Sequence, residues 1–255
     1  TAVGTAGKAS VAAVTPVAIK TVALINNDLC IGGATGADAI TVTPTGDISG
    51  RTLSVTINNV LQPGGPFIPT GHILIYSQAG ADTVKLVAAT INGQTVDVAV
   101  PAVIFGGTGN KNFSAAGSSA NNVLIGGTGA DQLTGGTGRD ILIGGAGADI
   151  LHAGSGDSLL ISGKTAYDTS LAAWLALSAE WSQNLPYQER VQDLYGTHTG
   201  GLNGAFLLNS QTIFRDTVPN QIFGGPGNDW FWAVRTTTLA DKLTGYASGE
   251  VETFE

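Results

Sequence analysis

The sequence contains little charge and no long apolar run. Charged residues make up 12% of the 255 residues, against about 25% in ordinary soluble domains. The 11 Lys and Arg are outnumbered by 19 Asp and Glu, for a net charge of −8, so no basic stripe is present to neutralise the phosphates of a nucleic acid. No stretch approaches the roughly 18 consecutive apolar residues of a membrane span. We therefore predict neither a nucleic-acid partner nor a transmembrane segment.

Reactive side chains are also scarce. The single cysteine, Cys30, lies in an apolar stretch without a partner for an internal disulfide, so we interpret it as a small buried side chain. The three histidines do not form an H-E-x-x-H motif, and there is no G-x-S-x-G motif. Glu180, Glu189 and Asp193 could supply a carboxylate pair, but they fall in predicted helices, where solvated charges are expected. The sequence therefore predicts no enzymatic activity.

Glycine is abundant instead, at 37 residues, and much of it belongs to a nine-residue repeat. Three complete units follow one another: GGTGADQLT (126–134), GGTGRDILI (135–143) and GGAGADILH (144–152). Degenerate or separate copies are GSSANNVLI (117–125), AGSGDSLLI (153–161), GGPGNDWFW (224–232) and the out-of-phase GGTGNKNFS (106–114). Short repeats of this kind predict a coil of parallel β-strands.

Each place in the unit has a physical role. The glycines allow a sharp turn with positive φ, which other residues disfavour. The aspartate at the sixth place adds a carboxylate to the loop, and the large apolar residue at the eighth place, as in Leu133, Leu142 and Leu151, faces the core. Because two units make one turn of the coil, loops two units apart stack on the same side. Their carbonyl and carboxylate oxygens form the kind of cage that Ca²⁺ prefers.

These units resemble the haemolysin-type calcium-binding repeats of the RTX family, over 117–161 and again at 224–232. The resemblance implies an RTX-type β-roll, Ca²⁺ as the bound ion and a secreted protein. A second resemblance, to the C-terminal part of large secreted surface proteins of the planctomycete type, implies an extracellular location and no known activity. It depends on AYDTSLAAWLALSAEW (166–181), GGLNGAFLLNSQTIFRD (200–216) and the GGPGNDWFW unit.

The RTX resemblance also implies a set of calcium ligands. They are the second- and fourth-place glycines and the aspartates of the three complete units, with one displaced aspartate: Gly127, Gly129, Asp131, Gly136, Gly138, Asp140, Gly145, Gly147, Asp149 and Asp157. Asp131 and Asp149 are expected to share one ion between stacked loops. Asp140 lies on the other side of the coil, where Asn122 and Asp157 are its expected neighbours.

Other loops depart from the pattern. Lys111 stands at the aspartate place of its unit, where its ammonium is expected to replace the ion. Asp38, Asp82 and Asp241 lie in fragments that keep only the second half of the motif, and we expect them to form turns without a metal. Asp229 has no partner two units away, so an ion there is not part of the prediction.

The chain divides into five predicted regions. They are an N-terminal extended arm over 1–25, a β-rich solenoid-like region over 26–105, the calcium-binding β-roll over 106–163, a helical insertion over 164–199, and a C-terminal β cap over 200–255 with one further repeat. The fold class is therefore an all-β parallel solenoid with a small helical insertion. In that insertion Leu171, Trp174 and Trp181 follow helical spacing after a capping signal at Asp168-Thr169, and Pro186 opens a second helix.

The predicted function is that of an extracellular, calcium-binding structural or surface protein. Low charge, small side chains and open sheet ends favour self-association into a homo-oligomer, fibre, layer or matrix. The alternative is a calcium-dependent folding and secretion module of a larger adhesin or enzyme. The absence of Met is expected of a processed chain or of part of a longer one. A cell-surface glycan is a further candidate partner, through Trp230, Phe231 and Trp232.

Overall fold

The structure is a computed structural model that describes residues 22–234 and 240–254. Within these residues the chain is mostly β, with two short helices. The elements in chain order are β1 (Val22–Ile25), β2 (Asp28–Gly32), β3 (Ala39–Pro44), β4 (Leu53–Ile57), β5 (Val60–Leu61), β6 (Ile73–Tyr76), β7 (Asp82–Leu86), β8 (Ala89–Ile91), β9 (Gln94–Val96), β10 (Ala102–Phe105), β11 (Lys111–Ser114), β12 (Val123–Thr128), β13 (Gln132–Thr134), β14 (Ile141–Ala146), β15 (Ile150–His152), β16 (Leu159–Ile161), β17 (Lys164–Thr165), α1 (Leu171–Trp181), α2 (Tyr187–Tyr195), β18 (Ile213–Phe214), β19 (Gln221–Phe223), β20 (Trp230–Ala233), β21 (Lys242–Thr244) and β22 (Val251–Phe254).

Most of the described strands belong to two nine-stranded sheets. The strand order is β1-β2-β6-β10-β12-β14-β16-β20-β22 in the first sheet and β21-β19-β15-β13-β11-β7-β3-β4-β5 in the second. From β10 to β16 the chain alternates between the two sheets, and neighbouring strands within each sheet are parallel. The nine-residue units therefore supply strands to the two sheets in turn.

Both sheets are mixed, which corrects the prediction of a wholly parallel coil. β1 pairs antiparallel with β2, and β4 pairs antiparallel with both β3 and β5. The β4–β5 turn contains Asn58 and Asn59 at φ of 53° and 62°, the left-handed pair that favours a tight antiparallel hairpin. Only the end of the predicted arm is seen, as β1, because residues 1–21 lie outside the described part of the chain.

The core between the two sheets is built from the eighth-place residues of the units. Leu124 and Leu142 from the first sheet and Leu133 and Leu151 from the second are fully buried in one cluster. Burial of side chains of this size contributes about 1.5–3 kcal/mol each, before the entropy of ordering the chain is subtracted. The predicted inward orientation of the eighth place is confirmed.

The outer face of the first sheet is also apolar, and the helices cover it. The seventh and ninth places of its units, such as Ile141 and Ile143, pack in a second cluster with Trp174 and Trp181 of α1. Both predicted helices are present, although the side chain that caps α1 belongs to Ser170 rather than to Asp168-Thr169. Among the described residues, neither helix is long and apolar enough to cross a membrane. The division into five regions stays a prediction.

Candidate metal centre

The loops that join the two sheets form two columns. The first column leads from the first sheet to the second and includes loops 77–82, 106–111, 126–131 and 144–149. The second column leads back and includes loops 117–122, 135–140, 153–158 and 224–229. In the first column β12 and β14 extend into the loops, so that Gly127 pairs with Gly145.

Glycine is required where the first-column loops touch. Gly145 has a φ of 105°, and a Cβ added to it would lie 2.1 Å from the carbonyl oxygen of Gly127. Gly147 has a φ of 137°, and its added Cβ would lie 1.8 Å from the carbonyl oxygen of Gly129. Any other residue would be strained and would collide with the loop below. The second- and fourth-place glycines therefore let the loops stack with their backbones in contact.

The sixth-place side chains form a ladder along each column. In the first column the backbone N–H of Lys111 donates to Asp131 Oδ1 at 2.7 Å, that of Asp131 to Asp149 Oδ1 at 2.8 Å, and that of Asp149 to Asn220 Oδ1 at 2.8 Å. The same contact recurs in the second column, where the N–H of Asn122 donates to Asp140 Oδ1 at 2.7 Å. One oxygen of each carboxylate thus holds the preceding loop of its column in register.

The second carboxylate oxygens of Asp131 and Asp149 differ from the first in having no hydrogen-bond partner within the described part of the chain. Asp131 Oδ2 and Asp149 Oδ2 are both buried, and neither has a hydrogen-bond partner among the described residues. A buried polar atom without a partner costs about 1–3 kcal/mol, and more if it is charged. The structure therefore places two unsatisfied oxygens in adjacent loops of the first column.

Burial disfavours the ionised form of these carboxylates. It raises the pKa of Asp131 to about 6 and that of Asp149 to about 8. The negative charges of Asp131, Asp216 and Asp241 raise the pKa of Asp149 further. A positive charge between the loops would reverse this effect, because it favours the ionised carboxylates.

Lys111 shows where a cation lies in a first-column loop. Its Nζ is 2.7 Å from Asp82 Oδ2 and lies 3.0 Å, 2.7 Å and 2.8 Å from the carbonyl oxygens of Gln78, Gly80 and Thr108. Both charged side chains are 0% exposed. Gln78, Gly80 and Asp82 hold the second, fourth and sixth places of their loop. The expectation that an ammonium occupies the ion position in this unit agrees with this geometry.

The loops one and two turns further along present the same set of oxygens without a lysine. The second, fourth and sixth places are Gly127, Gly129 and Asp131 in one loop, and Gly145, Gly147 and Asp149 in the next. Carbonyl and carboxylate oxygens are hard donors, which suit Ca²⁺. The two unsatisfied oxygens and this donor set fit a divalent ion.

Asp140, in the second column, has a different environment. Asp140 Oδ1 accepts hydrogen bonds from the backbone N–H and the side-chain amide of Asn122, and Asp140 Oδ2 accepts one from the N–H of Gly136 at 2.6 Å. Gly138 lies against the preceding loop, where an added Cβ would be 2.2 Å from the carbonyl oxygen of Ala120. Both carboxylate oxygens of Asp140 are therefore satisfied by the protein itself.

Asp157 is engaged by arginines, which differs from the sequence-based expectation of a metal ligand. Its Oδ2 pairs with the guanidinium of Arg190, which is buried in α2, and lies 3.5 Å from Arg139 Nε. Its Oδ1 accepts the N–H of Asn228 at 2.9 Å. Although burial alone would raise it, these contacts hold the pKa of Asp157 below its usual value. Asp157 thus ties the helices to the loops.

Loops far apart in sequence also join the ladders. The N–H of Ser158 donates to Asp229 Oδ1 at 2.8 Å, across 71 residues. The N–H of Asp38 donates to Asp82 Oδ1, and the N–H of Asn220 donates to Asp241 Oδ1. These aspartates hold turns in register, and Asp229 has a stacked partner that sequence spacing alone did not reveal.

Two carboxylates of the helices are more buried than the sequence suggested. Glu180 and Asp193, expected to be solvated, are 0% and 3% exposed. The surface-helix interpretation missed them because α1 and α2 pack against the sheet and against the loop that follows them.

Trp230 and Trp232 lie under the helices and Phe231 lies in the inner core, so none of the three is available to stack on a glycan.

Comparison with known proteins adds the family. Residues 116–151, 125–160 and 219–233 match the model of the RTX calcium-binding nonapeptide repeat, which is made of four copies. The matched residues include Asp131, Asp140, Asp149 and Asp229. Neither the curated proteins nor the solved structures contain a match to the chain. The chain therefore carries haemolysin-type RTX nonapeptide repeats, and such repeats bind Ca²⁺.

Proposed function

We propose that the chain is an extracellular structural protein in which Ca²⁺ in the first-column loops rigidifies an RTX-type β-roll. The observation that carries this proposal is the pair of buried, unpartnered oxygens, Asp131 Oδ2 and Asp149 Oδ2. The proposed ligands are these two carboxylates with the carbonyl groups of their own loops, at Gly127 and Gly129 and at Gly145 and Gly147. The ammonium of Lys111 holds the equivalent position one turn earlier.

The ion would act on folding rather than on a substrate. Short strands joined by acidic loops repel one another until a cation is bound, so the free energy of calcium binding becomes free energy of folding. Extracellular calcium modules are typically tuned to dissociation constants of about 10⁻⁴–10⁻³ M. A chain of this kind would remain loose at low calcium and stiffen outside the cell, which supports a secreted location and a structural role.

Calcium titration of the full chain by calorimetry tests the ligand set. We expect Asp131→Asn and Asp149→Asn to weaken or abolish binding, because each removes a negative charge that faces the ion. Asp140→Asn is the matched control, since Asp140 has the same motif place but already accepts three hydrogen bonds from the protein. Equal loss of calcium in all three variants would contradict the restriction to the first column, and no binding by the parent chain would contradict the proposal.

Self-association is the second part of the proposal. The second sheet ends in β5, whose residues Val60 and Leu61 are 62% and 66% exposed, with Ile68 at 58%. An apolar edge strand is a site where another strand can add. We expect light scattering to show oligomers with calcium, fewer in Leu61→Lys, and no change in the control Leu202→Lys. A calcium-loaded monomer in every case would favour the alternative, a calcium-dependent folding and secretion module.

A further inference from the structure

Three metal-ligating side chains come together outside the stacked loops, at the C-terminal end of α2. Glu189 and Asp193 lie one helical turn apart on α2, and His198 follows the helix. One ligand atom from each lies within 4.8 Å of the other two. The helix ends at Gly196, in the left-handed conformation with φ of 90°, a common way to end a helix. The N–H groups of Thr197 and His198 then donate to the carbonyl of Gln192, which folds His198 back onto Asp193.

A third carboxylate, that of Glu180, points to a missing ligand at this place. Glu180 of α1 is 0% exposed, and its Oε1 has no hydrogen-bond partner among the described residues. Its Oε2 accepts the N–H of Leu202 at 2.6 Å. An added Cβ at Gly201 would lie 3.0 Å from Glu180 Oε2 and 3.0 Å from Asp193 Cβ. The Glu180 carboxylate and Asp193 therefore converge on the same loop.

Among the residues that the structure describes, no lysine or arginine forms an ion pair with a carboxylate of this cluster. Within the described residues, the ion pair of Asp193 is with His198, at 2.5 Å, and Arg190 on the same helix pairs with Asp157 instead. The ligand atoms of Glu189 and Asp193 lie within 4.8 Å of that of His198, so two carboxylates face the imidazole.

We propose that Glu189, Asp193 and His198 form a second metal site, for a divalent ion of the zinc class. An imidazole nitrogen with two carboxylates suits Zn²⁺ and related transition metals, whereas Ca²⁺ takes oxygen ligands. His198 is exposed and Glu189 half-buried, so the remaining coordination positions open to solvent. A cavity of about 230 Å³ lies beside them, lined by Asp193, His198 and Asn203. The ion would hold the loop after α2 against the helix, because it would bind side chains from both.

Cobalt(II) titration of the full chain, prepared without a histidine tag and with excess calcium present, tests the site. We expect one Co²⁺ per chain with visible absorption bands from a nitrogen–oxygen site, displaced by Zn²⁺. His198→Ala should remove these bands. Glu189→Gln, at a position more exposed than Asp193, should leave the fold intact and weaken binding by at least about tenfold. His72→Ala, which removes another histidine close to an aspartate, is the matched control and should leave the bands unchanged.

Two further measurements do not depend on the cobalt spectrum. Zinc should slow amide exchange in residues 196–204 of the parent chain but not of His198→Ala. The number of calcium ions bound should be the same in both chains, because the stacked loops are unchanged. Cobalt binding that persists in His198→Ala, or that excess calcium displaces, would overturn the proposal, as would a parent chain that binds no cobalt. In those cases the cluster would be an Asp193–His198 hydrogen bond beside a buried glutamate.

Discussion

The loops around Lys111 and the loops around Asp149 belong to the same column but differ in whether the chain itself supplies a cation for the buried carboxylate. At Lys111 the cation is part of the chain, and its ammonium contacts one carboxylate and three carbonyl oxygens. At Asp131 and Asp149 the equivalent carboxylate oxygens have no partner in the described part of the molecule. One stretch of the coil therefore contains its own cation, while under the proposed function the next stretch would take up an ion from solution.

Under the proposed function, the calcium-dependent part of the molecule begins after Lys111. Loops 77–82 and 106–111 would then stack without metal, and loops 126–131 and 144–149 would order against them when calcium binds. A fixed ammonium cannot be removed by a chelator, and it lacks the second charge of Ca²⁺. The proposed function therefore predicts one segment that is stable without calcium and one that requires it.

The largest expected effect comes from removing the fixed cation. Lys111→Ala leaves Asp82 buried without its partner, which typically costs about 3–5 kcal/mol. Urea denaturation in the absence of calcium should show this loss, whereas Lys85→Ala, at an exposed position of β7, should change the stability little. Because the variant frees Asp82 and its carbonyl neighbours, we expect calcium to restore part of the loss. A variant as stable as the parent chain would show that the ammonium is not required.

Calcium removal should have the next largest effect. For a dissociation constant of about 10⁻⁴–10⁻³ M, 10 mM calcium stabilises the folded state by about 1.4–2.7 kcal/mol per ion. Amide hydrogen exchange should show that chelation accelerates exchange in residues 126–149 while residues 77–111 stay protected. Uniform loss of protection along the coil would contradict the division into permanent and conditional segments.

Neutralising a carboxylate should imitate part of the effect of the ion. Asp149→Asn keeps an acceptor for the N–H of Asp131 and removes the cost of burying or protonating this carboxylate on folding, so we expect the calcium-free chain to gain about 1–2 kcal/mol. The variant should also lose its response to calcium. Thermal unfolding with and without calcium measures both changes, and a calcium-free variant less stable than the parent would show that the Asp149 charge is already compensated.

A change of one pH unit should have the smallest effect on the free energy of unfolding. Because burial raises the pKa of Asp149 to about 8 and that of Asp131 to about 6, the calcium-free folded state binds protons more tightly than the unfolded chain. The contribution of these groups is complete below the unfolded pKa of about 3.9 and is lost as pH rises towards the folded values, by at most about 1.4 kcal/mol per pH unit and proton. The stabilisation by calcium should grow over the same range, and a decrease would contradict the assignment.

Much of the site could be predicted from local pattern. The spacing of Gly127, Gly129 and Asp131 within one unit indicates both the turn and the oxygen donors, and the lysine at position 111 indicates a built-in cation. The apolar triplets of the first-sheet units, such as Ile141 to Ile143, also carry the information that this face needs a cover. The partner of Asp157 could not be predicted, because Arg190 lies on a helix in an insertion between two turns of the coil.

By itself, the sequence determined the repeat, the inward leucines, the class of cation and the position of the internal ammonium, because these depend on residues close together in the chain. Only the tertiary structure decided which carboxylate oxygens remain free, how Ser158 meets Asp229 across 71 residues, and that Glu180 and Asp193 are buried beside His198. Those outcomes depend on how an insertion folds back on the sheet, and burial and partner choice are set there by packing rather than by spacing.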